Sequence, residues 1–531
     1  MRFDMRRRFA VKVLRLGAAV AFAFVATLLA IPSTPTGAAG SSTDSTNPAS
    51  SQGGASDAVN ITVTGDDLTG VTSSPIKLTP QFTAADTDYV WYCGDGNESL
   101  TLQLSSDGTI SADGQSGSNI TVPVTVTNNQ AVVINTPSDT QYWIRCLPPD
   151  FPHLTVTGNG DAAPGYYITG SFSSGHTPGY PMVLNSYGTP VWYVNGINGS
   201  AQDTELLPNS HTVAWADDES YRLYNLDTET VTDVAPPVEP FNGHELYVDT
   251  SGNYWMLSYP TVGGYNLSAI GYPKDHKILD CVVQEITPDG QLLWEWDAQN
   301  YVSPDEANSL AGTNGHPGTV DVYHCNSIDV DPLDPDLILV SMRQAGVFLI
   351  DKTTKQIVWK LGGTSYPPMD QEPVLTITGD PEGTIQGQHD ARFQPNDCIS
   401  MYDDHTNMPS GAARAVEYCI DTTQDTANMT WEYAAPSGDQ TSVMGSVRMY
   451  DGNTTTYDQA GTNYEGQQET VIDWGHGAPT AGFSVIDNSA DVLLNVAFPQ
   501  GIVGNRAEMA PLSALNLTEL HDSAGTSMPS S

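Results

Sequence analysis

"VFLIDKTTKQIVWKLG", residues 347–362, consists of two apolar runs, VFLI and IVWKL, on either side of the polar stretch DKTTKQ. Short runs rich in Val, Ile, Phe and Trp, joined by a few turn-forming residues, predict a β-hairpin. The same plan recurs at "MVLNSYGTPVWYV" (182–194), "YRLYNLDTETVTDV" (221–234), "VVQEITPDGQLLWEWD" (282–297), "AVEYCIDTTQDTANMTWEY" (415–433) and "FSVIDNSADVLLNVAF" (483–498). Further strand pairs lie between these hairpins: "HELYVDTSGNYWMLSY" (244–259), "HCNSIDVDPLDPDLILVSMR" (324–343) and "HDARFQPNDCISMYDD" (389–404). Each unit then supplies about four strands, and six such units arranged radially predict a six-bladed β-propeller over 165–505. A stacked solenoid or a second sandwich is the alternative. The spacing exceeds that of a compact blade, so inserted loops are expected.

The chain around this repeat agrees with an all-β fold. Only 15% of its 531 residues are charged, and it holds 48 Gly, 36 Pro and 24 Tyr, a turn-rich β composition. Upstream, "NITVTG", "SLTLQLS", "NITVPVTV", "AVVINT" and "QYWIRCL" predict a small N-terminal β-sandwich over 58–164. Residues 32–57, rich in Ser, Thr, Gly and Ala, predict a disordered linker. Residues 1–31 have a basic start and then an apolar run from Leu16 to Ile31, which predicts a signal peptide or an N-terminal anchor. "RRRFAVK" is a partial twin-arginine pattern. The protein is therefore expected to be secreted or extracytoplasmic, with no further membrane span. Residues 506–531 read as a C-terminal tail.

Without residues 1–31 the chain carries 13 Lys and Arg against 61 Asp and Glu, a formal charge of about −48. Nucleic acid and anionic lipid are excluded as partners by that charge. Six cysteines in an exported chain predict disulfides. Cys93 and Cys146 are expected to pair in the N-terminal domain. Cys398 and Cys419, on strands flanking a polar turn, are expected to bridge a hairpin, which leaves Cys281 for Cys325.

The repeat also aligns candidate functional residues. His244, His324 and His389 each open the first strand of a strand pair, before the hairpin of the same unit. Equivalent positions in successive blades face one channel mouth, so the three imidazoles are expected to converge. His211, ahead of "TVAWADD", is expected at the same position one unit earlier. Arg343 ends the strand after the one that His324 opens, and antiparallel geometry brings it beside His324. Asn326, two residues after His324, points to the same side. Strand alternation turns Asp390 away from the channel, and Arg392 receives no role. Three histidines, one arginine and one asparagine at a channel mouth suit an oxyanion such as sulfate or phosphate. Tyr323 and Trp255 are read as core, with aryl-ring contact as the alternative. No cofactor is expected. The chain has no H-E-x-x-H, no EF-hand order in its Asp-rich turns, no phosphate-binding P-loop and no G-x-S-x-G elbow. A metal-dependent propeller hydrolase and a non-catalytic propeller binding module are the competing classes.

"HCNSIDVDPLDPDLILVSMRQAGVFLIDKTTKQIVWKLGG" followed by "GQHDARFQP", together with "GHELYVDTSGNYWML" and "DGQLLWEWDA", resembles the arylsulfotransferase family. These are the nucleotide-independent aryl-sulfate sulfotransferases, and the resemblance covers roughly 165–500. "LTPQFTAADTDYVWYC" (78–93) looks like that family's leading β-sandwich. The resemblance implies a six-bladed propeller that transfers a sulfuryl group from an aryl sulfate donor to a phenolic acceptor. It implies His389 as the transiently sulfated nucleophile, His324 and Arg343 on the sulfuryl oxygens with Asn326 beside them, and His244 as acid/base at the phenolic oxygen. The family's last-blade Thr has no clear counterpart; Ser446 and Thr480 are the candidates, and neither is assigned. A homo-oligomer is compatible with the sequence.

Overall fold

The computed structural model describes residues 57–527 apart from short segments, of which 364–372 and 451–468 are the longest. The signal or anchor segment and nearly all of the linker lie outside the described residues, as does Thr480. The chain is all-β. From residue 165 onward, six antiparallel four-stranded units follow one another among the described residues.

Every hairpin quoted above forms the outer strand pair of one unit. Their turns share one device. Gly188, Glu229, Gly290, Lys355, Asp425 and Ala490 all have positive φ, between 52° and 83°. A tight turn followed by one left-handed residue reverses an antiparallel pair in register with its twist. In four of the turns the left-handed residue's N–H donates to the carbonyl three or four residues back, as Gly290 does to Thr287 at 2.8 Å. Four of the six positions are not glycine, so this repeat is carried by turn length more than by residue identity.

The inner strands are Gln202–Leu206, Phe241–Val248, Cys325–Val330, His389–Gln394, Ser446–Tyr450 and Ala507–Pro511. Each touches the next, and Ala507–Pro511 touches both Ser446–Tyr450 and Gln202–Leu206, so the ring closes. The arrangement is propeller-like. The ring is closed by the segment read above as a tail: Ala507–Pro511 pairs antiparallel with Gly165–Ser171 and becomes the inner strand of the first unit. A lone strand at the chain end has no partner hairpin in sequence to announce it. Apolar side chains between the units form the core, with Trp192, Trp215, Trp255 and Trp296 fully buried. Val374–Thr378 bridges the fourth and fifth units by parallel pairing to both.

The strands upstream of residue 148 belong to one continuous seven-stranded sheet, not two hydrogen-bonded sheets. It encloses its own core, which includes Trp91, Leu102, Leu104, Val122, Ile134 and Ile144. The C-terminal helix Leu517–Ser523 docks onto it. His521 Nε2 meets Asp88 at 2.6 Å, and Arg145 donates to the His521 carbonyl at 2.8 Å. The disulfides are Cys93–Cys146, Cys281–Cys325 and Cys398–Cys419. Among the described residues no helix is long and apolar enough to cross a membrane.

Candidate functional site

Four of the six inner strands contain an irregularity where they begin. The pairing register shifts between Gln202 and Glu205, Asn242 and Leu246, Cys325 and Ser327, and His389 and Arg392. Asp203, His324 and Asp390 there have φ of 48°, 53° and 59°. A β-bulge breaks the alternation of side chains and re-aims them. It is this device that places His244, His324 and His389 in one cluster.

The rings of His244 and His324 meet edge to face with centroids 5.0 Å apart, and Tyr259 packs against both. Arg343 arrives beside His324 as antiparallel pairing requires, its backbone N–H donating to the His324 carbonyl at 3.0 Å. The disulfide Cys281–Cys325 anchors the residue next to His324. Asn326 is buried, and its Nδ2 donates to the Gln388 carbonyl at 2.8 Å, fixing the backbone just before His389.

All three histidines share a pattern that sequence reasoning did not anticipate. In each, Nδ1 faces an acceptor oxygen contributed from two or three residues earlier in the chain. His389 Nδ1 donates to the Gly387 carbonyl at 2.8 Å. His244 Nδ1 meets Asn242 Oδ1 at 2.7 Å; the same oxygen accepts from the His244 backbone N–H, which identifies it as the acceptor. His324 Nδ1 meets Asp321 Oδ2 at 2.5 Å. A neutral imidazole whose proton sits on Nδ1 keeps its lone pair on Nε2. His389 Nε2 in turn accepts from the Met444 N–H at 3.2 Å. The signal was in the sequence as "NGH", "DVYH" and "GQH", each with an acceptor just ahead of the histidine.

Electrostatics keep two of these rings neutral. Burial pushes His389 well below the ordinary histidine range, and Arg343 and His324 push it further. Burial does the same to His244, with His324 and His389 adding to it. Burial also lowers Arg343, opposed by Asp404 and Asp321. The Arg343 NH2 group donates to the Ser442 carbonyl at 2.5 Å, while its buried Nε has no partner among the described residues. The segment Thr441–Met444 thus clasps the site, through Ser442 on Arg343 and Met444 on His389.

Beneath the histidines, an ionic network spans the ring. Arg506 reaches Asp203, Glu245, the Asn326 carbonyl and Asp390, residues of four different inner strands or their starts. Arg392 donates to Glu245, Asp390 and the Ile328 carbonyl, and Arg448 pairs with Asp390. Asp390 therefore points into the ring, contrary to the expectation from strand alternation; the bulge between His389 and Arg392 is the reason. Burial alone would raise its carboxyl, but Arg448, Arg392 and Arg506 hold it at about 2.

The remaining candidates fall elsewhere. His211 does not join the cluster: it sits on the surface against Asp227, at 2.6 Å. Ser446 is buried and accepts from the Ala507 N–H, tying two inner strands together. Tyr323 and Trp255 are core residues. Among the described residues, the groups whose ligand atoms lie within 4.8 Å of one another are Cys398–Glu417–Cys419 and His211–Asp227–Glu519, and neither includes the three converging histidines.

No curated protein matches the chain. Among solved structures it is similar to a protein from Lactobacillus plantarum, at 12% identity over 64% of this chain and 83% of that one, with a TM-score of 0.33. It is also similar to a putative 6-phosphogluconolactonase from Bacteroides fragilis NCTC 9343, at 10% identity over 67% and 99%, with a TM-score of 0.31. A hypothetical selenium-binding protein from Sulfolobus tokodaii gives 8% identity over 70% and 97%, with a TM-score of 0.35. Likenesses this distant bear on neither fold nor function. The family model described as Arylsulfotransferase (ASST) matches residues 173–495, more than half of the chain, and the protein belongs to that family.

Proposed function

We propose that this protein moves a sulfuryl group from an aryl sulfate to a phenol by a ping-pong route through sulfated His389. Family membership supports aryl sulfotransferase activity with a small-molecule donor and acceptor. The closed ring of inner strands supports a six-bladed propeller as the scaffold, and the seven-stranded sheet ahead of it supports an N-terminal β domain packed in the same unit. Export is part of the proposal and accords with three disulfides. The observation that carries the mechanism is the state of His389: buried and neutral, with Nδ1 bonded to Gly387 and its lone pair on Nε2, where it accepts from the Met444 N–H and is released to sulfur once that bond gives way.

In the first half-reaction, the Nε2 lone pair forms a bond to sulfur. The bond from sulfur to the aryl oxygen breaks, and its electron pair leaves on the phenolate. Phenols are acidic enough for the anion to depart and take its proton from water. The Arg343 guanidinium and the His324 imidazole hold the sulfuryl oxygens, and Asn326 supports the His389 backbone. In the second half-reaction the acceptor phenol attacks sulfur while His244 Nε2 takes its proton, and the N–S bond breaks with its pair returning to Nε2. Covalent splitting of one difficult transfer into two steps is the advantage of such a nucleophile.

Protein quenched after mixing with an aryl sulfate, without acceptor, is expected to gain the mass of one SO3 group on the peptide containing His389. No adduct on that peptide, in protein that turns the donor over, would remove the proposal. A pH profile provides a second check. The nucleophile must be unprotonated, and its titration lies well below 6.5. The acid limb of kcat/KM for the donor should therefore fall below pH 6.5, with rate retained as pH drops through that value.

A further inference from the structure

Beside His389 lies a carboxyl group to which the mechanism above gives no part. Asp404 follows the strand Cys398–Asp403, which pairs with the strand that begins at His389. Both side chains are buried, and Asp404 Oδ2 lies 2.8 Å from His389 Nδ1. The contact is built on several sides. The Thr441 hydroxyl donates to Asp404 Oδ1, and the Thr441 N–H donates to the Asp404 carbonyl at 3.1 Å. Thr406 Oγ1 in turn donates to the Thr441 carbonyl at 2.8 Å. Gly387, with φ of +79°, has no side chain to stand in the way. A Cβ there would lie 2.9 Å from Thr406 Oγ1 and 3.3 Å from Asp404 Cβ. Glycine at 387 lets the backbone carbonyl and the carboxyl both crowd onto Nδ1.

One proton thus faces two acceptors. In the resting ring the Gly387 carbonyl takes the hydrogen bond, and Asp404 Oδ2 has no donor of its own. Burial holds the Asp404 carboxyl well above the ordinary carboxylate range, although Thr441 and Arg343 pull the other way. Keeping such a group next to a neutral ring costs stability. The carbonyl by itself is enough to fix the tautomer, but it carries no charge. A carboxyl becomes useful when the ring turns cationic, which happens when Nε2 donates its pair to sulfur and the Nδ1 proton stays in place.

We propose that Asp404 is a positioning residue for His389, holding the ring with its proton on Nδ1 and stabilising the positive charge that builds on the imidazole as Nε2 bonds to sulfur. The inference rests on His389 being the nucleophile. Asp404 does not reach the reacting atoms, since it stands on the far side of the ring from Nε2.

The test compares wild type, Asp404→Asn, Thr441→Val and His389→Ala in the full chain, with p-nitrophenyl sulfate as donor and phenol as acceptor. Asp404→Asn keeps the shape and removes the group that can ionise as the ring turns cationic. Its kcat is expected to fall about 10²-fold, with KM for the donor changed less than about threefold, because the charge develops only in the transition state. Thr441→Val frees the carboxyl to turn and is expected to lower kcat about tenfold. In wild type, the far-downfield proton resonance of His389 Nδ1 should move downfield on sulfation, and Asp404→Asn should abolish that movement. An unchanged kcat in Asp404→Asn overturns the proposal. If that variant does not fold, an unchanged kcat in Thr441→Val does so. A wild type that transfers sulfate but shows no adduct on His389 overturns the nucleophile reading. A wild type that forms the adduct at the same rate as Asp404→Asn overturns the role of Asp404 alone.

Discussion

His389→Ala should abolish sulfuryl transfer while leaving the protein folded. Removal of a nucleophile that forms a covalent intermediate can cost on the order of 10⁶ in kcat. The rate loss should exceed that at any other position, because in the proposed mechanism Arg343 and His324 assist the transfer whereas Nε2 forms the bond. The fold should survive because His389 gives up only two hydrogen bonds, to the Gly387 carbonyl and from the Met444 N–H. The measurement is release of p-nitrophenol from p-nitrophenyl sulfate with phenol present, alongside a denaturation curve. Transfer at even a hundredth of the wild-type rate, from protein free of contaminating enzyme, would mean that another residue accepts the sulfuryl group.

The second large effect is on stability. Glu245 is fully buried and accepts from both Arg392 and Arg506. Glu245→Leu leaves two guanidinium groups short of their shared acceptor inside the ring. Breaking a buried ion pair by removing one partner costs about 3–5 kcal/mol, a large part of the roughly 5–15 kcal/mol that holds a typical protein folded. The denaturant midpoint should fall sharply, or the protein should be recovered insoluble. The variant replaces a carboxylate with a side chain of similar size, so lost volume does not explain the effect. An unchanged midpoint would show that Asp203, Asp329 and Asp390 suffice as counter-charges. Glu245 also accepts from the Ile328 N–H at 2.9 Å, so the loss would report on the contacts among the inner strands.

Much of this was legible from residue patterns. The six outer hairpins declare themselves because each pairs two apolar runs across a short polar turn, a purely local signal. Arg343 beside His324 followed from antiparallel pairing, which is also local. What escaped was non-local or depended on broken regularity. The strand Ala507–Pro511 pairs with residues more than 300 positions earlier. Asp390 was turned the wrong way because alternation was assumed across a bulge that carries a left-handed residue. His211 looked equivalent to the other histidines by its place before a strand, but that strand, Thr212–Ala216, is the second of its unit and not the inner one. Asp404 follows the strand that pairs with the one His389 opens, so antiparallel geometry places it as it places Arg343, but no residue pattern gave that carboxyl a part; Thr441 lies on a later connection, and no local pattern marks it as a partner of Asp404.

The Arg506 network also has a consequence for traffic. Among the described residues, three guanidinium groups and their carboxylates fill the space between the inner strands. On the proposed route, donor, departing phenol, incoming acceptor and sulfated product would then share the approach to the histidines that the network leaves. The first product would have to clear that approach before the second substrate enters, so the order of the proposed route would be set by space as much as by chemistry. Spent phenol should then compete with fresh donor for the unmodified protein, and the accumulating aryl product should slow the cycle at its first step.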